Sequence, residues 1–239
     1  MTELVREYFD AIHETETRSD GKNFWVFSDM LTLKSSPPAL TNDDMSKGHH
    51  INFFTFLRFF ELLATFKTPT IIETGSSAHG TNSSHLFDKY VSKYDGTFYT
   101  VDIDHQTTQR IKRMLSKKSY AINGDSVAFI ESLQDSSVDA AYLDSWDIDW
   151  IDYNASAHHG RREMEALLPK LKNESIIMID DTPYAPENLP FRNSTYYYLK
   201  NMSTMPGKGM YAEDVLKKAN ISYEKILHMY AIIFLVKKD

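Results

Sequence analysis

The sequence predicts an α/β fold: a mostly parallel sheet wound with helices, ending in an antiparallel hairpin and preceded by a helical extension. Two patterns carry this expectation. From Thr70 onward, short runs of β-branched or aromatic residues alternate with helical patterns, as in a sheet built from β–α–β units. Ahead of Thr70 the chain reads instead as helices around a polar, proline-bearing segment, SSPPALTNDDMSKGHH.

Taken in order, Leu4–Ile12 has helical spacing, and INFFTFLRFFELLATF (Ile51–Phe66) is apolar enough all round to be a core helix. Residues 1–69 are expected to form a helical extension, either a lid or an oligomer-forming arm, and residues 70–239 the sheet domain. The expected strands are Thr70–Thr74, Phe98–Asp102, Tyr120–Ile122, Val138–Asp144 and Ser175–Asp180. Between them, Leu86, Tyr90, Val91 and Tyr94 share one helical face, as do Ile111, Met114 and Leu115, and later Met164, Leu167, Leu168 and Leu171. An irregular stretch from Thr182 to Gly209, rich in Pro, Asn and Tyr, precedes a helix at Ala212–Ala219. The runs Tyr223–Leu227 and Ala231–Val236 then lie close enough to pair as a hairpin at the sheet edge.

A chain of 239 residues suits one sizeable core. Its net charge of -7 gives no electrostatic reason to approach nucleic acid. It has no cysteine, which excludes disulfides and thiolate zinc sites. No apolar run approaches membrane-spanning length, and MTELVREYFD carries acids where a signal peptide carries bases. A cytoplasmic protein acting on a small molecule is expected, and the aromatic N-terminal region leaves a homo-oligomer open.

Ligands of a doubly wound sheet bind beyond the carboxyl ends of the strands, so the first strand and its turn, IIETGSSAHG, come first. As a phosphate loop the turn lacks its lysine, Thr81-Asn82 standing in that place. As a dinucleotide fingerprint it needs a glycine at position 77 and has Ser77. The third reading uses Glu73 and the turn Gly75, Ser76, Ser77 and Gly80 to hold a ligand with an amino-acid moiety and no phosphate, such as S-adenosylmethionine. The second strand ends FYTVDID, where Asp102 is placed to accept ribose hydroxyls and Asp104 to cap the next helix. Asn123-Gly124-Asp125-Ser126 forms a turn after the third strand and caps the helix Val127–Leu133, beside the adenine in this layout.

The fourth and fifth strands run VDAAYLDSWD and IIMIDDTP. Asp144, with Ser145 beside it, and the pair Asp180-Asp181 thus end neighbouring strands about 5 Å apart. Three converging carboxylates repel one another unless they are protonated, paired or metal-bound, and hard oxygens suit magnesium first, with calcium and manganese behind it. A divalent ion there would acidify and orient an alcohol for methyl transfer.

With these residues, the segment from about Thr70 to Pro183 resembles class I S-adenosylmethionine-dependent methyltransferases of the metal-dependent O-methyltransferase kind. YTVDIDHQTTQRI and AYLDSWD…EALLPKL…IIMIDDTP are similar to stretches of catechol O-methyltransferase, and Asp180-Asp181 resembles more closely the macrocin- and novobiocin-type sugar O-methyltransferases. The resemblance implies a Rossmann-like sheet, with Glu73, Gly75 and Asp102 on the cofactor, Asp125 and Ser126 on its adenine side, and Asp144, Asp180 and Asp181 on the metal. One departure stands out: Asp147 occupies the place of the catechol enzymes' catalytic lysine, three residues after the first metal acid. The general base is then Asp147, His158, His159 or the metal-bound carboxylate of Asp144. The expected function is O-methylation of a small polar acceptor, a sugar first among them. The alternatives are a non-catalytic nucleoside-binding or assembly protein of the same fold and a metal-dependent hydroxylase-like relative.

Overall fold

The computed structural model describes residues 2–15, 24–25, 39–42, 49–76, 82–149, 152–184 and 207–238. Ser77, Gly80 and Trp150 lie outside these residues, as does most of Ser35–His50 and Thr182–Gly209. The main sheet contains β1 (Thr70–Thr74), β2 (Thr97–Asp102), β3 (Ser119–Asn123), β4 (Val138–Leu143), β5 (Leu171–Ile179), β6 (Ser222–His228) and β7 (Ile232–Lys237). Their order is β3-β2-β1-β4-β5-β7-β6, with β7 antiparallel to both neighbours and the other pairs parallel. The helices are α1 (Thr2–Thr15), α2 (Phe53–Leu63), α3 (Ser83–Tyr94), α4 (His105–Lys112), α5 (Ser126–Ser132), α6 (Asn154–Leu167) and α7 (Ala212–Lys218). The expected hairpin forms, but its second strand enters the sheet beside β5 and its first becomes the edge. β5 begins at Leu171, ahead of the expected Ser175, because its first residues still find partners: the buried Leu171 pairs with Val138 in β4 and the polar Glu174 with Lys237 in β7.

Strand alternation sorts the core into two layers. Ile71, Tyr142, Ile176 and Met178 face one side with α1, α2 and α3, while Ile72, Ala141, Leu143, Ile177 and Ile179 face the other with α6 and α7. On the first side Phe53, Phe54, Phe56, Phe59 and Phe60 of α2 are all buried. Phe56 meets Tyr142 edge-on with centroids 5.2 Å apart, and Phe60 stacks on Phe87 at 5.4 Å. Each such ring contributes about 1.5–3 kcal/mol by burial, so α2 packs as part of the sheet's own core. Among the described residues, no helix is long and apolar enough to cross a membrane.

The register positions the site. Thr74 is level with Val101 and Leu143, Val101 with Ile122, and Leu143 with Ile179. One step further along each strand, Gly75, Asp102, Asn123, Asp144 and Asp180 therefore stand in a single row across the carboxyl edge.

Candidate active site

A cavity of about 1030 Å³ opens above that row, lined among others by Gly75, Ser76, Asp102, Asp125, Ser126 and Asp144. Gly75 has φ +78, and its N–H donates to the Val101 carbonyl at 2.9 Å. A Cβ there would overlap the Asp144 carbonyl oxygen, so only glycine lets the turn cross the end of β4 this closely. The Asp102 carboxylate accepts from the Ser76 N–H at 2.9 Å and the Asp104 N–H at 2.7 Å. It thereby stitches the glycine turn to the end of β2. Asp104 caps α4 through Thr107, and Asp125 caps α5 through Ala128.

Three of the molecule's exposed large apolar side chains, Ile103, Met114 and Trp146, line this cavity. Trp146 is held at φ 63, a conformation that costs a bulky residue energy and that persists where a site requires it. Its ring lies 5.2 Å from that of His159.

The two adjacent histidines separate. His158 is exposed, stacks on Tyr211 at 5.3 Å and does not line the cavity. His159, a helical step away, is buried and does line it, with Nε2 3.0 Å from Ser126 Oγ and 3.5 Å from Glu163 Oε1. Glu163 also accepts from the Ser145 hydroxyl at 2.6 Å. This Ser126–His159–Glu163–Ser145 network ties the start of α5 and the turn after β4 to α6. Glu163 escaped the sequence reading, although it lies four residues beyond His159 and so on the same helical face. Asp147 lies exposed on the cavity rim.

Glu73 does not line the cavity. It is buried beneath the glycine turn and accepts from the hydroxyls of Ser83 at 2.5 Å, Thr100 at 2.6 Å and Ser84. Flanked by β2 and β4, the central strand turns this side chain into the protein, where it ties the start of α3 to the sheet. Burial pushes its carboxyl from 4.5 up to about 7, against the pull of those three hydroxyls. Because its pKa is raised on folding, the stability it contributes is full below pH 4.5 and is lost as pH rises through about 7. That loss amounts to about 3 kcal/mol. Urea unfolding at pH 5 and pH 7.5 should show a fall in wild-type stability that Glu73→Gln reduces by about 2 kcal/mol, the part of the loss that falls between these pH values; equal falls in both proteins would refute the assignment.

Asp144, Asp180 and Asp181 do meet at the strand ends, yet around an ammonium. Lys208 Nζ donates to Asp144 Oδ1 at 2.7 Å, to the Asp144 carbonyl at 3.2 Å and to Asp181 Oδ2 at 2.8 Å. Asp181 Oδ1 accepts from the Tyr230 hydroxyl at 2.5 Å. Asp180 Oδ2 accepts from Asn52 Nδ2 at 2.9 Å and from the Tyr142 hydroxyl at 2.5 Å; that hydroxyl also lies 3.1 Å from Asp144 Oδ2. Asp180 Oδ1 accepts from the Asp181 N–H at 2.8 Å. Burial raises Asp180 to about 6, helped by the neighbouring Asp181 charge. Burial would depress the Lys208 ammonium, but Asp144, Asp181 and Asp180 outweigh it and hold it above the ordinary lysine value. Every carboxylate oxygen of the expected metal triad is therefore engaged by a group of the protein. Among the described residues no group of three or more His, Asp or Glu is arranged to hold a metal ion. Held in this way, Asp144, Asp180 and Asp181 do not fit a resident divalent ion.

Residues 72–182 match a family model described as a methyltransferase domain. No protein of curated function matches the sequence. Among solved structures, the chain is similar to the SAH-bound methyltransferase PaMTH1 of Podospora anserina, with 12% identity, a TM-score of 0.54, and 98% of this chain and 95% of that one covered. It is also similar to the MycE methyltransferase of the mycinamycin biosynthetic pathway, in complex with Mg and SAH, with 14% identity and a TM-score of 0.50. That match covers 79% of this chain and 50% of MycE, so the chain spans half of MycE's length. At such identities the likeness is one of fold. From residue 72 to residue 182, a little under half of its length, the chain matches the methyltransferase-domain model, and its sheet has the Rossmann-like fold of methyltransferases such as PaMTH1.

Proposed function

We propose that the protein transfers the methyl group of S-adenosylmethionine to a hydroxyl oxygen of a small polar acceptor, a sugar first among the candidates. The observation that carries this reading is the composition of the cavity: a glycine turn, a strand-end carboxylate and three exposed apolar side chains around one opening. Asp102 uses two acceptor sites on Ser76 and Asp104, and an ionised carboxylate has about four, so it retains capacity for both hydroxyls of a ribose. Ile103, Met114 and Trp146 offer apolar surface to a planar base. The side-chain-free Gly75 lets an amino-acid moiety approach the backbone. No lysine or arginine cluster faces the turn as a phosphate would need, since Arg110 is the sole Lys or Arg among the described lining residues.

When bound, S-adenosylmethionine supplies an electrophilic methyl group on a sulfonium. The chain's part is to orient the acceptor in line with it, exclude water and take the acceptor's proton. Asp147 is the base assigned to that proton, as the exposed carboxylate on the rim beyond Asp144. A hydroxyl oxygen that displaces the thioether from the sulfonium methyl becomes strongly acidic as the C–O bond forms and the C–S bond breaks, so a carboxylate of ordinary basicity suffices to take its proton. The preference for a sugar rests on the likeness of Asp180-Asp181 to sugar O-methyltransferases.

Incubating the protein with S-adenosylmethionine and a panel of free sugars, glycosides and catechols, then measuring S-adenosylhomocysteine, tests this reading. Release is expected with at least one hydroxylated acceptor and should fall on the order of 10-fold or more in Asp102→Ala, through lost cofactor affinity. Cofactor binding with no release from any acceptor would favour the binding-only alternative.

A further inference from the structure

We infer that the acid cluster at the ends of β4 and β5 is neutralised by the chain's own Lys208, carried on a Gly-Lys-Gly clasp, so that this protein keeps three strand-end carboxylates without taking a divalent ion. The observations go beyond a lysine that happens to lie near acids. Lys208 is 4% exposed, and its three ammonium protons match the three acceptors described above: the two carboxylates and the Asp144 carbonyl. Its backbone is anchored on both sides. The Lys208 N–H donates to the Asp181 carbonyl at 3.2 Å and the Gly209 N–H donates to Thr182 Oγ1 at 2.8 Å.

The clasp is built from close approaches that side chains would block. Gly207 has φ +96, and a Cβ on it would overlap the Asp181 carbonyl. A Cβ on Gly160 of α6 would overlap the Lys208 carbonyl, and one on Gly209 would press to 2.7 Å from Thr182. Three glycines from two parts of the chain thus converge on the peptide that delivers one cation. On the receiving side Asp181 adopts φ 44, an uncommon backbone for a residue other than glycine. A divalent ion entering here would have to expel an ammonium that is already desolvated and fully hydrogen-bonded, and strip Tyr142, Tyr230 and Asn52 from the same oxygens. The inference concerns the cation alone and holds whichever group the enzyme transfers.

Manganese titration followed by electron paramagnetic resonance of the free ion provides the test, on the full chain with and without S-adenosylhomocysteine. Wild type is expected to leave the free-ion signal undiminished up to roughly millimolar concentration, where divalent sites of weak extracellular modules already fill. Lys208→Ala is expected to gain one manganese per chain, and Lys208→Ala with Asp144→Asn to lose it again. Stoichiometric binding by wild type at micromolar concentration, abolished by Asp181→Asn, would overturn the inference, as would a folded Lys208→Ala that gains no ion. Should Lys208→Ala not fold, wild-type melting decides: an unchanged Tm between EDTA and excess magnesium supports the inference, and a rise with magnesium overturns it.

Discussion

Gly75→Ala should abolish useful S-adenosylmethionine binding and cost about 2–4 kcal/mol of stability. Two penalties combine at this position. A φ of +78 costs an L-residue about 1–2 kcal/mol, and the added Cβ meets the Asp144 carbonyl, which is backbone at the end of a central buried strand and cannot swing aside. Either the turn lifts or β4 shifts. Displacement of reacting groups by even 1 Å costs on the order of 100-fold in rate, and here the turn, Asp102 through Ser76, and Asp144 move together. Calorimetric titration with S-adenosylmethionine together with a thermal melt reads both effects. A Gly75→Ala protein that binds the cofactor as wild type does would mean that the turn is not part of the cofactor site.

Lys208→Met is the second large effect, expected to lower stability by about 3–5 kcal/mol, because it removes one side of a buried ion pair and leaves the Asp144 and Asp181 charges uncompensated. For a chain of this size that corresponds to a drop in Tm of about 6–20 °C. The sign of its pH dependence follows from the same charges. Burial already pushes the Asp144 carboxyl well above the ordinary value, and removing the ammonium takes away what pulls it back. A carboxyl with a raised folded pKa adds stability at low pH that disappears as pH rises, so the deficit of Lys208→Met should be smaller at pH 5.5 than at pH 8. Melts at both pH values check this. A deficit that is absent, or equal at both, would show that the ammonium does not hold the cluster together.

Strand ends were legible because β-branched runs stop where polar turns begin, and once Gly75, Asp102, Asn123, Asp144 and Asp180 are known to end strands, parallel register aligns them. The caps at Asp104 and Asp125 were legible for the same local reason. Partners distant in sequence were not. Asp144 and Asp181 looked uncompensated because no base is adjacent to them, whereas their countercharge arrives from position 208 through an irregular stretch without periodicity. The only trace of it was a lysine between two glycines. Glu73 ends a strand as a ligand-facing acid would, but alternation alone could not show that its face carries Ser83, Ser84 and Thr100. The neighbouring histidines looked equivalent until the orientation of α6 turned one inward and the other to solvent.

Calorimetric titration of S-adenosylmethionine into chelator-treated wild-type protein, with NAD as the control ligand, reads the choice of cofactor and its independence of metal together. Heat saturating at one S-adenosylmethionine per chain, undiminished by EDTA, with none from NAD, is the predicted result; no heat from S-adenosylmethionine would contradict the account.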